Sequence, residues 1–184
     1  MHVKALRVLY KYNGIFVLAG SLLGPLYAIY VERLQKGILT VSASWAAFLV
    51  STTIFSLVLT RVGDRVKEKE YLLLAGFLIR AVAWFSYIYI RNISQLIGLQ
   101  ILLGLGEAVG TPAFEVIFAE HLEKGKHIDD YADWKVVVNL VTAVGTILGG
   151  LIASRFGFTP LFLAMSLLAL VAFFGVLFKP RRLL

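Results

Sequence analysis

Two ionisable residues stand inside long apolar stretches of this sequence, where charged side chains are rare. Arg80 lies near the middle of Tyr71–Ile90, and Glu107 lies near the middle of Ile93–Ala119. A charge at the centre of a bilayer costs at least about 2.5–3.5 kcal/mol unless it is paired or faces water. The two residues are therefore predicted either to form an ion pair that holds two helices together, or to bind a solute or a proton in a wet cavity.

Three further polar residues are candidates for the same cavity. Glu115 follows Glu107 by eight residues, which is about 12 Å along a helix, and the two carboxylates fall on overlapping faces. Tyr27 and Tyr30 lie in an earlier apolar stretch. Their amphipathic rings suit either a cavity wall or an aromatic belt at the membrane interface, and the sequence leaves both roles open.

A polar stripe marks a later stretch, where Lys135, Asn139 and Thr142 recur at i, i+4 and i+7. This spacing places them on one face of a helix, which is predicted to point inward as cavity lining or as packing. Small residues let neighbouring helix backbones approach closely in a membrane. Close helix packing is predicted at seven glycines: Gly20, Gly24, Gly104, Gly106, Gly145, Gly149 and Gly150.

The composition indicates which elements position these residues. Hydrophobic residues make up 59% of the chain and charged residues 16%, and the mean hydropathy of +0.83 is far too high for a soluble domain. A helix needs about 20 apolar residues to cross the hydrocarbon core, and continuous apolar runs favour helices over barrel strands. The sequence predicts an all-α integral membrane protein with six transmembrane helices: Asn13–Val31, Val41–Thr60, Tyr71–Ile90, Ile93–Ala119, Trp134–Ser154 and Thr159–Phe178. The sixth of these has almost no polar residue and is predicted to face lipid.

Basic residues are unevenly divided between the two sides of the membrane. With a cytoplasmic N-terminus, 13 of the 18 lysines and arginines lie inside and 4 lie outside, while Arg80 is within a span. Because cytoplasmic loops are enriched in lysine and arginine, both termini are predicted to be cytoplasmic, in a prokaryotic cytoplasmic membrane. The net charge of +7 then reflects loops that face anionic lipid, and no nucleic-acid partner is expected.

The chain also contains an internal repeat. The segment Gly20–Gly37 matches Gly104–Gly125 at an offset of 86 to 88 residues, close to half the chain. Three predicted spans separate the copies, and three is odd, so the copies face opposite sides of the membrane. This is the pattern of a 3+3 inverted repeat within a single six-helix domain, with halves at 13–90 and 93–178. Pro25, inside the first copy, is expected to let its helix bend.

Several classes of site lack the residues they require. The chain has no cysteine, and its three histidines are scattered without a metal-ligand spacing. No nucleotide-binding loop or nucleophile elbow is present. The sequence therefore predicts neither a cofactor nor a metal site, and it does not predict an enzyme.

A family resemblance begins in the loop after the second predicted span, which contains Asp64, Arg65 and Lys69. The loop resembles the signature between the second and third helices of the major facilitator superfamily, Gly-x-x-x-Asp-Arg/Lys-x-Gly followed by basic residues. Thr60 and Lys67 stand where the family usually has glycine. The resemblance implies that Asp64, Arg65 and Lys69 belong to a cytoplasmic charge network that helps to hold one conformational state.

The resemblance continues into later spans. The fourth is similar to the family pattern Arg-x-x-x-Gly-x-Gly, with Gln100 at the arginine position. The fifth resembles Gly-x-x-x-Gly-Pro-x-x-Gly-Gly, with Val141 for the first glycine and Thr146 for the proline. In many family members the arginine is tied to proton movement, so Gln100 weakens the expectation of that route, and the two departures in the fifth span weaken an expectation of antiport.

Family members normally have two six-helix halves with substrate bound between them, and this chain resembles one half. A parallel homodimer would restore the full architecture, and the charge bias favours parallel assembly. The resemblance thus implies a half-size secondary transporter that works by alternating access on a small organic solute, with proton coupling left open. A non-transporting membrane scaffold and one half of a heteromeric transporter are the alternatives.

Overall fold

The protein was analysed as a computed structural model, which describes residues 2–62, 66, 68–122, 125 and 127–179. The regular structure of this part is helical throughout, which confirms the predicted all-α class. In chain order the helices are α1 (His2–Ser21), α2 (Leu26–Leu34), α3 (Ile38–Val62), α4 (Lys69–Ser86), a short 3-10 helix (Tyr87–Tyr89), α5 (Ile93–Glu120), α6 (His127–Phe156) and α7 (Phe158–Leu177).

Five of the described helices, α3 to α7, are long and apolar enough to cross a membrane. The first predicted span is broken into α1 and α2, which meet at an angle of 45°. Pro25 stands immediately before α2 with a φ of −63°, and it cannot donate the backbone hydrogen bond that would continue α1. Counting the bent pair as one span gives the six that the sequence predicts, with the expected bend at Pro25.

The helices form one bundle in which α4 and α7 pack against each other. Helix α5 packs against α3 and α4, while α1 packs against α6 and α7. The outer helices α3 and α6 are the most exposed, since only 11% of the apolar core segment of each is buried within the bundle. The core is therefore made by α1, α4, α5 and α7, and it positions the polar residues of α4 and α5.

Glycines allow close contacts where α5 crosses its neighbours. A Cβ at Gly104 would lie 2.7 Å from Oγ of Ser51 on α3, and a Cβ at Gly76 of α4 would overlap Cα of Gly110 on α5. Such contacts leave no room for a side chain, so α3 and α4 both approach the α5 backbone directly. The Gly76 contact is one that the sequence reasoning did not single out.

The contact between α1 and α6 is built in the same way. A Cβ at Gly145 would overlap Oγ of Ser21, and a Cβ at Gly149 would overlap the carbonyl oxygen of Leu22. Gly150 differs from the prediction, because a Cβ there would have no neighbour within 4 Å. Gly150 is therefore not required for close helix packing within this bundle.

Two other predicted packing glycines lie in looser surroundings. A Cβ at Gly20 would be 3.7 Å from the ring of Trp84, an ordinary van der Waals separation that does not require glycine. The tight contact at Gly24 is with the carbonyl oxygen of Ser21, 3.1 Å away across the break between α1 and α2. Gly24 therefore serves the local bend more than the approach of another helix.

The expectation that the sixth span faces lipid is wrong for one side of α7. Ala169 and Ala172 are completely buried, and Phe162 and Met165 are each 1% exposed, against α1 and α4. The opposite side of α7 carries exposed leucine, valine and phenylalanine. An apolar face suits a dry helix interface as well as it suits lipid, which is why composition alone did not separate the two.

Candidate functional site

The predicted ion pair between Arg80 and Glu107 is formed in the structure. Nη1 of Arg80 on α4 lies 2.6 Å from Oε2 of Glu107 on α5, within hydrogen-bonding distance. The side chain of Arg80 is 10% exposed and that of Glu107 is 34% exposed. The pair therefore crosses the α4–α5 interface and leaves one partner, the carboxylate, accessible.

Each member of the pair has further contacts that fix its position. Nε of Arg80 donates to the carbonyl oxygen of Gly76 at 3.2 Å, and the guanidinium carbon lies 4.3 Å from the centroid of the Phe16 ring. The hydroxyl of Thr111 donates to Oε1 of Glu107 at 2.7 Å. Both carboxylate oxygens thus accept a hydrogen bond. The guanidinium is held by the ion pair, a backbone hydrogen bond and a cation–π contact.

Two glycines one helical turn apart make room for the arginine. A Cβ at Gly106 would lie 2.8 Å from Cγ of Arg80, and a Cβ at Gly110 would lie 2.7 Å from its Nη2. The side chain of Arg80 therefore lies directly against the α5 backbone at these two glycines. Gly106 and Gly110, which belong to the internal repeat, serve to accommodate the charged side chain as well as to pack helices.

Two cavities meet at the ion pair. One has a volume of about 380 Å³ between α1, α4, α5 and α6, and Glu115, Tyr131 and Trp134 lie in its wall. The other, of about 290 Å³, extends towards the opposite end of the bundle and includes Tyr27 in its wall. Phe16, Val17, Arg80 and Glu107 line both cavities. A solute in either cavity would therefore reach the Glu107 carboxylate.

The wall of the second cavity contains a buried hydrogen-bond network. Nε2 of Gln100 donates to the hydroxyl of Tyr27 at 2.6 Å, and this hydroxyl donates to Oγ of Ser44 at 2.7 Å. The hydroxyl of Tyr87 donates to Oε1 of Gln100 at 3.0 Å. The network joins α2, α3, α5 and the 3-10 helix without any charge. The amide of Gln100, which is 1% exposed, can both donate and accept, and this lets it complete the network at the position of the family's arginine.

The remaining predicted candidates lie in several places. Glu115 is exposed in the wall of the first cavity. Tyr30 is buried away from both cavities, because its ring packs on Tyr87, Phe158 and Phe162 and its hydroxyl donates to the carbonyl oxygen of Tyr87 at 3.0 Å. It is a core residue and not part of the cavity wall.

The polar stripe on α6 is uncovered in the single bundle, so its inward orientation stays a prediction. Lys135, Asn139 and Thr142 are exposed and lie outside the walls of the two cavities. The contact of α6 with α1 is made instead by Gly145 and Gly149, because only glycine allows the close approach found there. The stripe lies on the flank of this contact, where a single bundle leaves it uncovered.

Only part of the predicted switch loop lies within the described residues. Asp64 and Arg65 lie outside the described residues, and Lys69 is the first residue of α4. Within the described residues, no group of three or more histidine, cysteine, aspartate or glutamate side chains could hold a metal ion.

Sequence reasoning missed several residues of the site. Phe16 and Thr111 contact the ion pair, yet aromatic rings and hydroxyls are too common in this chain to stand out. Thr111 follows Glu107 by four residues, so helical spacing was a usable signal. Tyr87 contacts Gln100, and Ser44 contacts Tyr27, only through the tertiary fold.

Comparison with known proteins agrees with this architecture. The Major Facilitator Superfamily profile matches residues 13–183. An uncharacterized MFS-type transporter, YitZ, from Bacillus subtilis (strain 168) is 29% identical over 153 residues, which are 82% of this chain and 91% of that protein. The relative is therefore of similar length. Since the family profile spans nearly all of the sequence, including both sides of the ion pair, the chain belongs to the Major Facilitator Superfamily.

Proposed function

We propose that this chain is a half-size secondary transporter that acts as a parallel homodimer, by alternating access, on a small organic solute. Family membership and the transporter relative support membrane transport and an integral membrane location. The observation that carries the proposal is the Glu107 carboxylate, which is one-third exposed where two cavities meet. An intramembrane carboxylate that is both paired and accessible can exchange its partner for a cationic group or accept a proton.

The position of the two cavities supports alternating access. Helix α5 runs from the predicted outer side to the predicted cytoplasmic side, so the cavity beside Glu115 is on the cytoplasmic side and the cavity beside Tyr27 is on the outer side. Glu107 would then be reachable from either side in turn while Arg80 holds it in place. Aromatic walls that include Trp45, Trp84 and Trp134 suit an amphipathic or cationic organic solute.

The helix contacts are those expected of a 3+3 inverted repeat with halves at 13–90 and 93–178. Such a repeat pairs the first span with α5, α3 with α6, and α4 with α7. The observed contacts α1–α6 and α5–α3 are then equivalent, as are α1–α7 and α5–α4. This correspondence supports one domain built from two inverted halves.

The exposed faces of α3 and α6 favour contact with a second bundle. Asn139 and Thr142 on α6 and Thr53 on α3 are exposed polar residues in membrane-spanning helices. Facing lipid is unfavourable for such groups, whereas a second bundle packed on α3 and α6 would cover them. The basic bias of the predicted cytoplasmic side requires that the two chains have the same orientation.

The proposal also includes the charged loop between α3 and α4. The family resemblance assigns Asp64, Arg65 and Lys69 to a switch that holds one conformation, and Lys69 is the first residue of α4. Neutralising Asp64 tests the assignment, since Asp64→Asn should slow transport without changing the oligomeric state.

Transport is tested with purified protein in liposomes, using ethidium as the amphipathic cation and an imposed proton gradient. We expect accumulation by the wild type, its loss in Glu107→Gln, and its retention in Glu120→Gln, which removes an exposed carboxylate at the end of the same helix. Equal accumulation by the two variants would contradict the role of Glu107.

Oligomeric state is tested by native mass spectrometry from nanodiscs. A dimer that crosslinks symmetrically through single cysteines on α3 and α6 would support the homodimer. A stable monomer that moves no solute would overturn it. In that case the non-transporting scaffold, or a heteromer with a different six-helix chain, would be favoured.

A further inference from the structure

A groove on the outer wall of the bundle is separate from the two central cavities. It lies between α1 and α7 and has a volume of about 640 Å³. Its wall is apolar over most of its length, with Ile15 on one side and Leu170 and Phe174 on the other. Lys11 and Lys179 line the same groove, where the first and last described helices reach one end of the bundle.

The two lysines converge on one aromatic ring. Nζ of Lys11 lies 5.4 Å from the centroid of the Tyr12 ring, and Nζ of Lys179 lies 5.8 Å from it. The two ammonium groups are thus at most about 11 Å apart, and flexible side chains of this length can close on a single anion. The Tyr12 ring packs directly on the backbone of Gly175 in α7, where a Cβ would overlap it.

The positive charge of this pair is not neutralised by an ion pair among the described residues. Glu68 and Glu70 line a separate cavity of about 60 Å³ together with Lys179, outside the groove. Two like charges brought together beside an apolar groove favour an anionic ligand that has an apolar part.

The groove has the dimensions of one leaflet. From Leu167 to Phe178 the wall of α7 extends over about 16 Å at 1.5 Å per residue, and half of a hydrocarbon core of about 30 Å is about 15 Å. The lysines lie at the end where the membrane interface is expected. An acyl chain placed along the wall would put its headgroup at the lysines.

We propose that this groove binds one anionic phospholipid, with the phosphate between Lys11 and Lys179 and an acyl chain along the apolar wall. The lipid comes from the leaflet on the side of the two termini. Its site lies on the outer wall, away from Glu107, so the proposal is independent of the transported solute.

The test uses native mass spectrometry of delipidated protein titrated with dioleoyl phosphatidylglycerol or dioleoyl phosphatidylcholine. Charge attraction to the two lysines should make the affinity for phosphatidylglycerol about tenfold or more higher than that for phosphatidylcholine. The double variant Lys11→Gln with Lys179→Gln should remove that preference. Arg61→Gln is the matched control, since Arg61 is an exposed basic residue in the last turn of α3, outside the groove. It should leave the preference unchanged.

A second variant tests the groove itself. Val171→Trp should fill the apolar wall at an exposed position without changing charge, and it should weaken both lipids. The thermal midpoint without lipid should match that of the wild type for each variant, which excludes misfolding. The proposal would be overturned by equal binding of the two lipids, by an equal loss of the preference in Arg61→Gln, or by an unchanged affinity in Val171→Trp. Full competition by glycerol phosphate would also overturn it, because it would indicate a site for free phosphate.

Discussion

Gly149 and Gly150 are neighbours in α6, yet their surroundings differ. A Cβ at Gly149 would overlap the carbonyl oxygen of Leu22, and it would lie 2.7 Å from the carbonyl carbon and 2.9 Å from Cα of the same residue. These are backbone atoms, which cannot rotate aside. A Cβ at Gly150 would have no neighbour within 4 Å. We therefore predict opposite effects on stability for Gly149→Ala and Gly150→Ala.

The size of the difference follows from two contributions. Replacing glycine by alanine inside a helix stabilises it by about 1 kcal/mol. Gly150→Ala should keep this gain. At Gly149 the contact with backbone places overpacking near the upper end of its usual range, about 3 kcal/mol, which leaves a net loss of about 2 kcal/mol. The variants should then differ by about 3 kcal/mol, or about 6–12 °C in Tm for a chain of this size.

The assay is thermal unfolding of both variants at one scan rate in one detergent, with a packing readout beside it. Because the chain has no cysteine, a Gly14→Cys and Val137→Cys pair reports the contact between α1 and α6. A Cβ at Gly14 would lie 3.8 Å from Cγ1 of Val137. Crosslinking should fall with Gly149→Ala only. Equal Tm values, or a higher Tm for Gly149→Ala, would refute the close approach of α6 to Leu22.

Two further predictions concern the polar residues of the core. Glu107→Gln should lower the free energy of unfolding by about 3 kcal/mol because Arg80 stays buried without its counter-charge. Arg80→Met combined with Glu107→Leu should recover most of this free energy in detergent unfolding and yet remain inactive in transport. No recovery in the double variant would contradict the ion pair. Gln100→Leu should cost about 2–3 kcal/mol in the same assay, because the hydroxyls of Tyr27 and Tyr87 lose a buried partner, whereas an unchanged Tm would mean that the network contributes little.

The fold class could be predicted from the sequence because span length and apolar content are local properties. About 20 apolar residues are needed to cross a membrane wherever they occur in a fold, so the six spans, and the bend at Pro25, followed from the chain alone. Arg80 and Glu107 were identifiable for a related reason: a charge in an apolar span needs a partner, and few are available.

Which side of each helix is covered could not be predicted in this way. The polar stripe of Lys135, Asn139 and Thr142 is predicted to line a cavity or to pack, and in the single bundle it is exposed beside Gly145 and Gly149, which contact the first span. In a membrane, close packing between helices competes with polarity in setting the rotation of a helix, and no local pattern ranks the two.

The sequence by itself determined the helical membrane class, the family and the presence of two charged residues within apolar spans, since each depends on residue type and spacing along the chain. Only the tertiary structure decided that one side of α7 is core, that Tyr30 packs among aromatic rings, and that Gln100 joins Tyr27 to Tyr87. The same holds for the meeting of Lys11 and Lys179 over Tyr12, from opposite ends of the chain. These contacts depend on which helices become neighbours, and that is a property of the whole bundle because each helix surface is apolar enough to pack in more than one way.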